Sequence, residues 1–146
     1  MSDPQTTSTE PRSAGRVLLA EDDAAMRALL ARQLCRAGFE VIEVSNGTEA
    51  LERLAYGWAS KPALRFDAVV SDLRMPGYDG INILASLRKT ADYLPVILIT
   101  AFGTMTTHVT AARLGAYAIL DKPFDLDELI ALVQEATRDR ERTEQS

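Results

Sequence analysis

Five short apolar runs, each followed by a stretch with helical spacing, constrain this chain more than any other feature of it. The runs are RVLLA from Arg16, FEVIEV from Phe39, DAVVSD from Asp67, VILIT from Val96 and AYAIL from Ala116. Between the first two, AAMRALLARQLCRAG puts Met26, Leu29, Leu30 and Leu34 at helical spacing and stops at Gly38. NGTEALERLA reads as a second helix entered through Asn46, with Glu49 three residues on in capping-box relation. GINILASLRKT gathers Ile83, Leu84 and Leu87 on one face, TMTTHVTAARLG is a fourth helix, and DLDELIALVQEATRDRE a fifth, started by Asp125 with Glu128 behind it. Strand and helix in alternation specify an α/β fold, because parallel neighbours in a sheet need a crossover between them. The strand runs are continuously apolar, as strands covered by helices on both faces must be. FEVIEV alone is broken by Glu40 and Glu43, which suits a sheet edge. An edge second strand beside the first gives a doubly wound five-stranded parallel sheet of order 2-1-3-4-5.

Composition narrows the rest. A chain of 146 residues, 47% hydrophobic and 25% charged, holds one compact domain with a sizeable core and no room for a second. A net charge of −5 lacks the clustered Lys and Arg of a phosphate-backbone footprint, so direct nucleic-acid binding is not expected. A single cysteine, Cys35, forms no internal disulfide and reads as a small packing residue; a reducing cytoplasm is the natural compartment. Neither a signal peptide nor an apolar run long enough to cross a bilayer is present. Residues 1–14, rich in Ser, Thr, Pro and Gln, read as a disordered arm; 15–137 form the domain; 138–146, RDRERTEQS, form a charged tail or the start of a linker. YGWASKPALRF, residues 56–66, is long for a connection in such a fold and reads as a surface excursion, with no chemical role for Trp58.

In an open α/β sheet the ligand site lies beyond the carboxyl ends of the strands, at the crevice where helices diverge to opposite faces. For this strand order the crevice opens between strands one and three. The first strand ends in Glu21-Asp22-Asp23, the third in Asp72, the fourth in Thr100 and the fifth in Asp121-Lys122-Pro123. Carboxylates so close repel one another by a few kcal/mol per pair, on the order expected for partly buried charges. Lys122 offsets part of this, and a divalent cation offsets more. Mg²⁺ suits an all-oxygen set that keeps waters, whereas zinc finds no His or Cys ligands there. A cation, a lysine and a hydroxyl around one pocket equip it to handle a phosphoryl group, and a carboxylate can itself be the acceptor, with Asp72 the candidate nucleophile. Taken singly, each residue has an ordinary reading. Asp72 is a turn former, Asp23 a helix cap, Thr100 a strand-end hydroxyl, Lys122 an exposed lysine. Joint placement at four strand ends carries the functional reading. His108, on the fourth helix, reads as a surface residue.

VLLAEDDAAMRALL, VVSDLRMPGYDG, VILITAFG and GAYAILDKPFDLDEL, in that order, resemble the receiver domain of two-component response regulators, over about Arg16 to Ala136. The resemblance implies a flavodoxin-like fold, with Asp72 phosphorylated by a sensor histidine kinase or phosphotransfer protein. It implies that Asp22 binds Mg²⁺ directly, Glu21 mostly through water, and the backbone carbonyl of Arg74 completes the protein ligands beside Asp72. Lys122 would pair with phosphoryl oxygens across a cis bond to Pro123, and Thr100 would swing toward the phosphoryl group, drawing the fourth helix with it. That helix has only Met105, Val109 and Leu114 as large anchors, so it is weakly held. The implied output face is the fourth helix, fifth strand and fifth helix, acting on an effector domain or protein, with a phosphorylation-dependent homodimer also open.

The chain departs from the family at one position. Many receivers carry Tyr or Phe three residues before the lysine; here it is Ile119, with Tyr117 two residues earlier on the expected same strand face. Phe102 and Arg74 would flank the mouth and tune access of water. Three rivals stand beside this reading: a stand-alone shuttle without an effector domain, a degenerate receiver that only dimerises, and a Mg²⁺-dependent phosphohydrolase. The last wants an acid just after the nucleophile, where this chain has Leu73, Arg74 and Met75.

Overall fold

The computed structural model describes residues 14–59, 65–90, 93–101 and 103–145, without the side chains of 57–59 and 142–145. The expected N-terminal arm, apart from Ala14, the centre of the 56–66 excursion, the Trp58 side chain and Phe102 lie outside the described residues.

The strands are β1 (Gly15–Ala20), β2 (Phe39–Val44), β3 (Ala68–Asp72), β4 (Val96–Thr100) and β5 (Ala118–Asp121). The helices are α1 (Ala24–Arg36), α2 (Gly47–Ala59), α3 (Gly80–Leu87), α4 (Met105–Arg113) and α5 (Leu126–Gln145). All four strand pairings are parallel, in the order β2-β1-β3-β4-β5, as the edge position of FEVIEV predicts.

Alternate strand residues feed two apolar clusters, one on each face of the sheet. Leu18, Val69, Val96 and Leu98 meet Ala50 and Leu54 of α2, Ile83, Leu84 and Leu87 of α3 and Ala111 of α4. Val17, Leu19, Val70, Ile97 and Ile99 meet Leu30, Ala31 and Leu34 of α1 and Leu129 and Val133 of α5. Each fully buried Leu or Ile removes enough apolar surface to contribute about 1.5–3 kcal/mol, so these two layers hold the sheet. β3 and β4 are buried along their whole length, which explains their unbroken apolar runs.

Local chemistry sets the helix ends. Asp23 caps α1 through Met26 N, 3.0 Å from its Oδ1, and Gly38 ends the turn beyond with φ +99, a conformation favouring glycine. At α2, Glu49 N donates to Asn46 Oδ1 (2.8 Å), but the Glu49 carboxylate reaches back to Ser45 N (3.2 Å), one residue before the expected cap. Asp125 accepts from Asp127 N (3.0 Å) at the start of α5. A full capping box that the sequence reading passes over joins Asp79 and Asn82 at α3.

Three expectations need correction. Leu29 faces solvent, and Ala31 takes its place in the core, because α1 turns its Leu30–Leu34 stripe to the sheet. Cys35 is exposed rather than packed. On α4, Met105 is 80% exposed and Val109 41%, so the helix is held by Ala111 and the half-buried Leu114, less apolar contact than expected. α5 runs on past the DLDELIALVQEATRDRE stretch, which ends at 141, to Gln145; along it Tyr117 Oη donates to Asp139 (2.8 Å) and Arg140 lies 3.9 Å from Asp67.

Candidate functional site

Parallel pairing in register carries the polar strand ends to one rim. Asp72 pairs with Ile99, so Thr100 stands one residue further along β4, and Thr100 in turn pairs with Asp121. The Lys122 amide donates to Thr100 O (2.7 Å) and the Leu73 amide to Ile99 O (2.7 Å), continuing the ladder past each strand end. The Lys122–Pro123 bond is cis, as the resemblance implied.

Asp72 is 7% exposed at the end of β3. Its Oδ1 accepts from Arg74 N (3.3 Å) and its Oδ2 from Lys122 Nζ (3.2 Å). Lys122 Nζ also lies 3.6 Å from Glu21 Oε1. The ammonium thus sits between two carboxylates, one just past the end of β1 and one on the last residue of β3. Burial works against its charge, but Asp72 and Glu21 outweigh that and hold its pKa above the ordinary lysine value.

Glu21 is 1% exposed, Asp22 exposed, and with Asp72 they bring carboxylate oxygens within 4.8 Å of one another. Burial pushes the Glu21 carboxyl up to about 7; Asp72 adds to the rise, while the Asp23 amide (3.1 Å from Oε2) and Lys122 oppose it. Glu21 Oε1 is fully buried with no hydrogen-bond donor among the described residues. A buried, unsatisfied carboxylate oxygen in an all-oxygen donor set, next to an exposed carboxylate, fits a hard divalent cation such as Mg²⁺ that retains water.

Thr100 is fully buried at the end of β4. Arg74 joins the site through its backbone, its side chain being exposed. Ile119, at the position where many receivers carry an aromatic ring, is half-buried against the α2–α3–α4 cluster. Tyr117 does not stand in for it: it precedes β5, packs on the opposite cluster and donates to Glu135 (3.0 Å) and Asp139 (2.8 Å) of α5. The expected shared face fails because strand alternation begins only at Ala118.

Three supporting residues escape the sequence reading. Arg27 Nη1 donates to Glu21 O (2.7 Å) while its Nε lies 3.6 Å from Glu43, so one guanidinium fixes the main chain that presents the acid pair. Ser71 Oγ donates to Asp72 O (2.9 Å). Gly80 leaves no space for a side chain: a Cβ would lie 2.8 Å from Leu98 Cδ2 and 3.0 Å from Asp72 O, so α3 starts directly against the carbonyl of Asp72. Of the three, Arg27 has a signal in its position on the first turn of α1, and Gly80 in its place at a helix start behind a strand-end acid.

Known proteins resemble this chain in sequence and fold. A sequence model of the response regulator receiver domain matches residues 17–134. The DNA-binding transcriptional regulator NtrC of Escherichia coli K12 is 41% identical over 122 residues, 84% of this chain and 24% of NtrC. The transcriptional regulatory protein FixJ of Bradyrhizobium diazoefficiens is 38% identical over 127 residues, 87% of this chain and 58% of FixJ. Among solved structures, full-length FixJ from B. japonicum superposes with a TM-score of 0.77 at 36% identity, covering 91% of this chain and 62% of that one. The receiver domain of the Francisella response regulator 1452 gives 0.74 at 29%, covering 86% and 98%. The chain therefore spans about a quarter of NtrC and a little over half of FixJ. With the family's sequence model covering most of the chain and the parallel order β2-β1-β3-β4-β5 beneath it, this chain belongs to the response regulator receiver domains of two-component systems.

Proposed function

We propose that Asp72 is the phosphoacceptor, taking a phosphoryl group from a sensor histidine kinase or phosphotransfer protein and thereby shifting α4. One observation carries this reading: Lys122 Nζ 3.2 Å from Asp72, beside a set of three carboxylates whose oxygens approach within 4.8 Å. Mg²⁺, when bound there, would supply positive charge to the phosphoryl oxygens. Glu21, Asp22, Asp72 and the backbone carbonyl of Arg74 are the residues that would hold it. An Asp72 carboxylate oxygen attacks the phosphorus, and the bond to the donor's imidazole nitrogen breaks, its electron pair leaving with the nitrogen. Lys122 is already oriented toward the acceptor oxygen and supplies a charge-assisted hydrogen bond to the transferred group. Thr100, on the neighbouring strand, donates its hydroxyl once its loop moves inward, and the equilibrium shifts because that bond exists in only one of the two states.

The position two residues beyond Asp72 is an exposed arginine, not an acid suited to protonating a leaving group. That supports a phosphoacceptor over a phosphohydrolase. Among the described residues no helix is long and apolar enough to cross a membrane. NtrC and FixJ are transcriptional regulators, and by analogy the output of this domain acts on an effector domain or protein through α4, β5 and α5. The test is mass spectrometry after incubation with acetyl phosphate and Mg²⁺. The parent chain gains one phosphate and Asp72→Asn gains none; equal labelling of both, or of neither, refutes the assignment.

A further inference from the structure

α4 buries almost nothing. Its one fully buried side chain is Ala111, its larger apolar residues Met105 and Val109 point outward, and yet it lies against β5 in a defined position. Polar contacts must supply what apolar packing does not. At its C-terminal end, Arg88 from the end of α3 donates to Leu114 O (2.9 Å) and Gly115 O (3.1 Å). In its middle, His108 Nε2 meets Asp121 Oδ1 at 3.2 Å, joining the helix to the last residue of β5, immediately before Lys122.

The loop leading into α4 closes on that same contact. A Cβ placed on Gly103 would lie 2.8 Å from Asp121 Oδ1, from His108 Nε2 and from Thr100 Cγ2 alike. Gly103, though exposed, is thus the point where the loop meets both the His108–Asp121 pair and the methyl of Thr100, with room there for no side chain. A displacement of Thr100 and its loop toward Asp72 would change the fit of Gly103 against that pair.

We propose that His108 and Asp121 form a latch that holds α4 and the Thr100 loop in the resting arrangement and opposes the switch. The histidine is a positioning residue: its hydrogen bond goes to Asp121 and not to Glu21, Asp22, Asp72 or Lys122, and it acts through Gly103 on Thr100. The claim rests on the reading of Asp72 and Thr100 above only for its coupling to phosphorylation; the holding of α4 stands on geometry alone. His108 is half-buried and Asp121 exposed, so the bond is a modest one by itself. It matters here because the helix has so little else.

Amide hydrogen exchange on the unphosphorylated chain, followed by phosphorylation with acetyl phosphate and Mg²⁺, tests the latch in the parent, His108→Ala and His108→Gln. In His108→Ala, amides of α4 exchange faster by about two- to fivefold, the range an exposed hydrogen-bonded pair of this kind produces, while those of α3 and α5 keep parent rates. Phosphorylation speeds up by a similar factor, because the variant visits the switched arrangement more often. His108→Gln, whose amide can still donate to Asp121, returns both rates toward the parent. Unchanged α4 exchange, or faster exchange spread over the whole domain, overturns the latch. Faster α4 exchange with an unchanged or lower phosphorylation rate overturns its opposition to the switch. If the parent itself takes no phosphate, the phosphoacceptor reading falls and coupling with it, while the exchange result still decides whether the pair holds the helix.

Discussion

Replacing Glu21 by Gln isolates the electrostatic cost built into the site. Glu21 is 1% exposed, and its carboxyl is pushed from 4.5 up to about 7, chiefly by burial. Its pKa is higher folded than unfolded, so the native state binds the proton more tightly. The associated stability is intact below about pH 4.5 and is lost as pH rises toward 7. A rise from 4.5 to about 7, at about 1.4 kcal/mol per pH unit, amounts to about 3 kcal/mol. Glu21→Gln carries no such charge. In urea unfolding with EDTA present, its stability relative to the parent is therefore expected to climb by about 2–3 kcal/mol between pH 5 and pH 8. The climb is the test, since a constant offset from repacking the amide appears equally at both ends. Mg²⁺ added at pH 8 should recover much of the loss in the parent and little in the variant, because binding to the native state adds stability by mass action. A stability difference that stays flat with pH, or falls, refutes the argument that burial of this carboxylate destabilises the native protein at neutral pH.

Three further perturbations have defined outcomes. Lys122→Met leaves Asp72 and Glu21 without their shared ammonium and should cost about 2 kcal/mol at pH 8 in EDTA, measured by urea unfolding. Leu84→Ala, in a fully buried position on α3, should cost about 2–5 kcal/mol, whereas Leu29→Ala on the exposed side of α1 should change stability by less than about 0.5 kcal/mol. Tyr117→Phe removes the hydroxyl that donates to Glu135 and Asp139; burial and both carboxylates hold that phenol well above its ordinary range, and its loss should lower stability by about 1 kcal/mol at pH 7.

The strand order was legible because one strand run, FEVIEV, carries glutamates where the other four are unbroken, and both glutamates are exposed at the edge. The rim was legible because parallel strands deliver their C-terminal residues to one side whatever the loops do, so Glu21, Asp22, Asp72 and Lys122 meet without any further signal. Side-chain direction outside the strands was not. Tyr117 counts as a same-face neighbour of Ile119 only if the strand already runs at 117, and it starts at Ala118. Met105 and Val109 satisfy a helical pattern, but Ala111 and Leu114 turn that helix inward, since nothing in the spacing says which of two weak apolar stripes finds the sheet. His108 reads as a surface residue because its partner lies 13 positions away on another element.

The sheet is a partition. Leu30, Leu34, Leu129 and Val133 belong to one apolar compartment, and Leu84, Leu87 and Ala111 to another, with the single hydrogen-bonded sheet and its strand side chains between them. A void opened in one compartment has no route for collapse into the other, so paired truncations such as Leu30→Ala with Leu84→Ala should sum to within about 0.5 kcal/mol. Residues on α1 and α5 can then be exchanged without disturbing the bed on which α4 rests. The acid-lined rim at the strand ends is where the two halves of the molecule answer to the same charges.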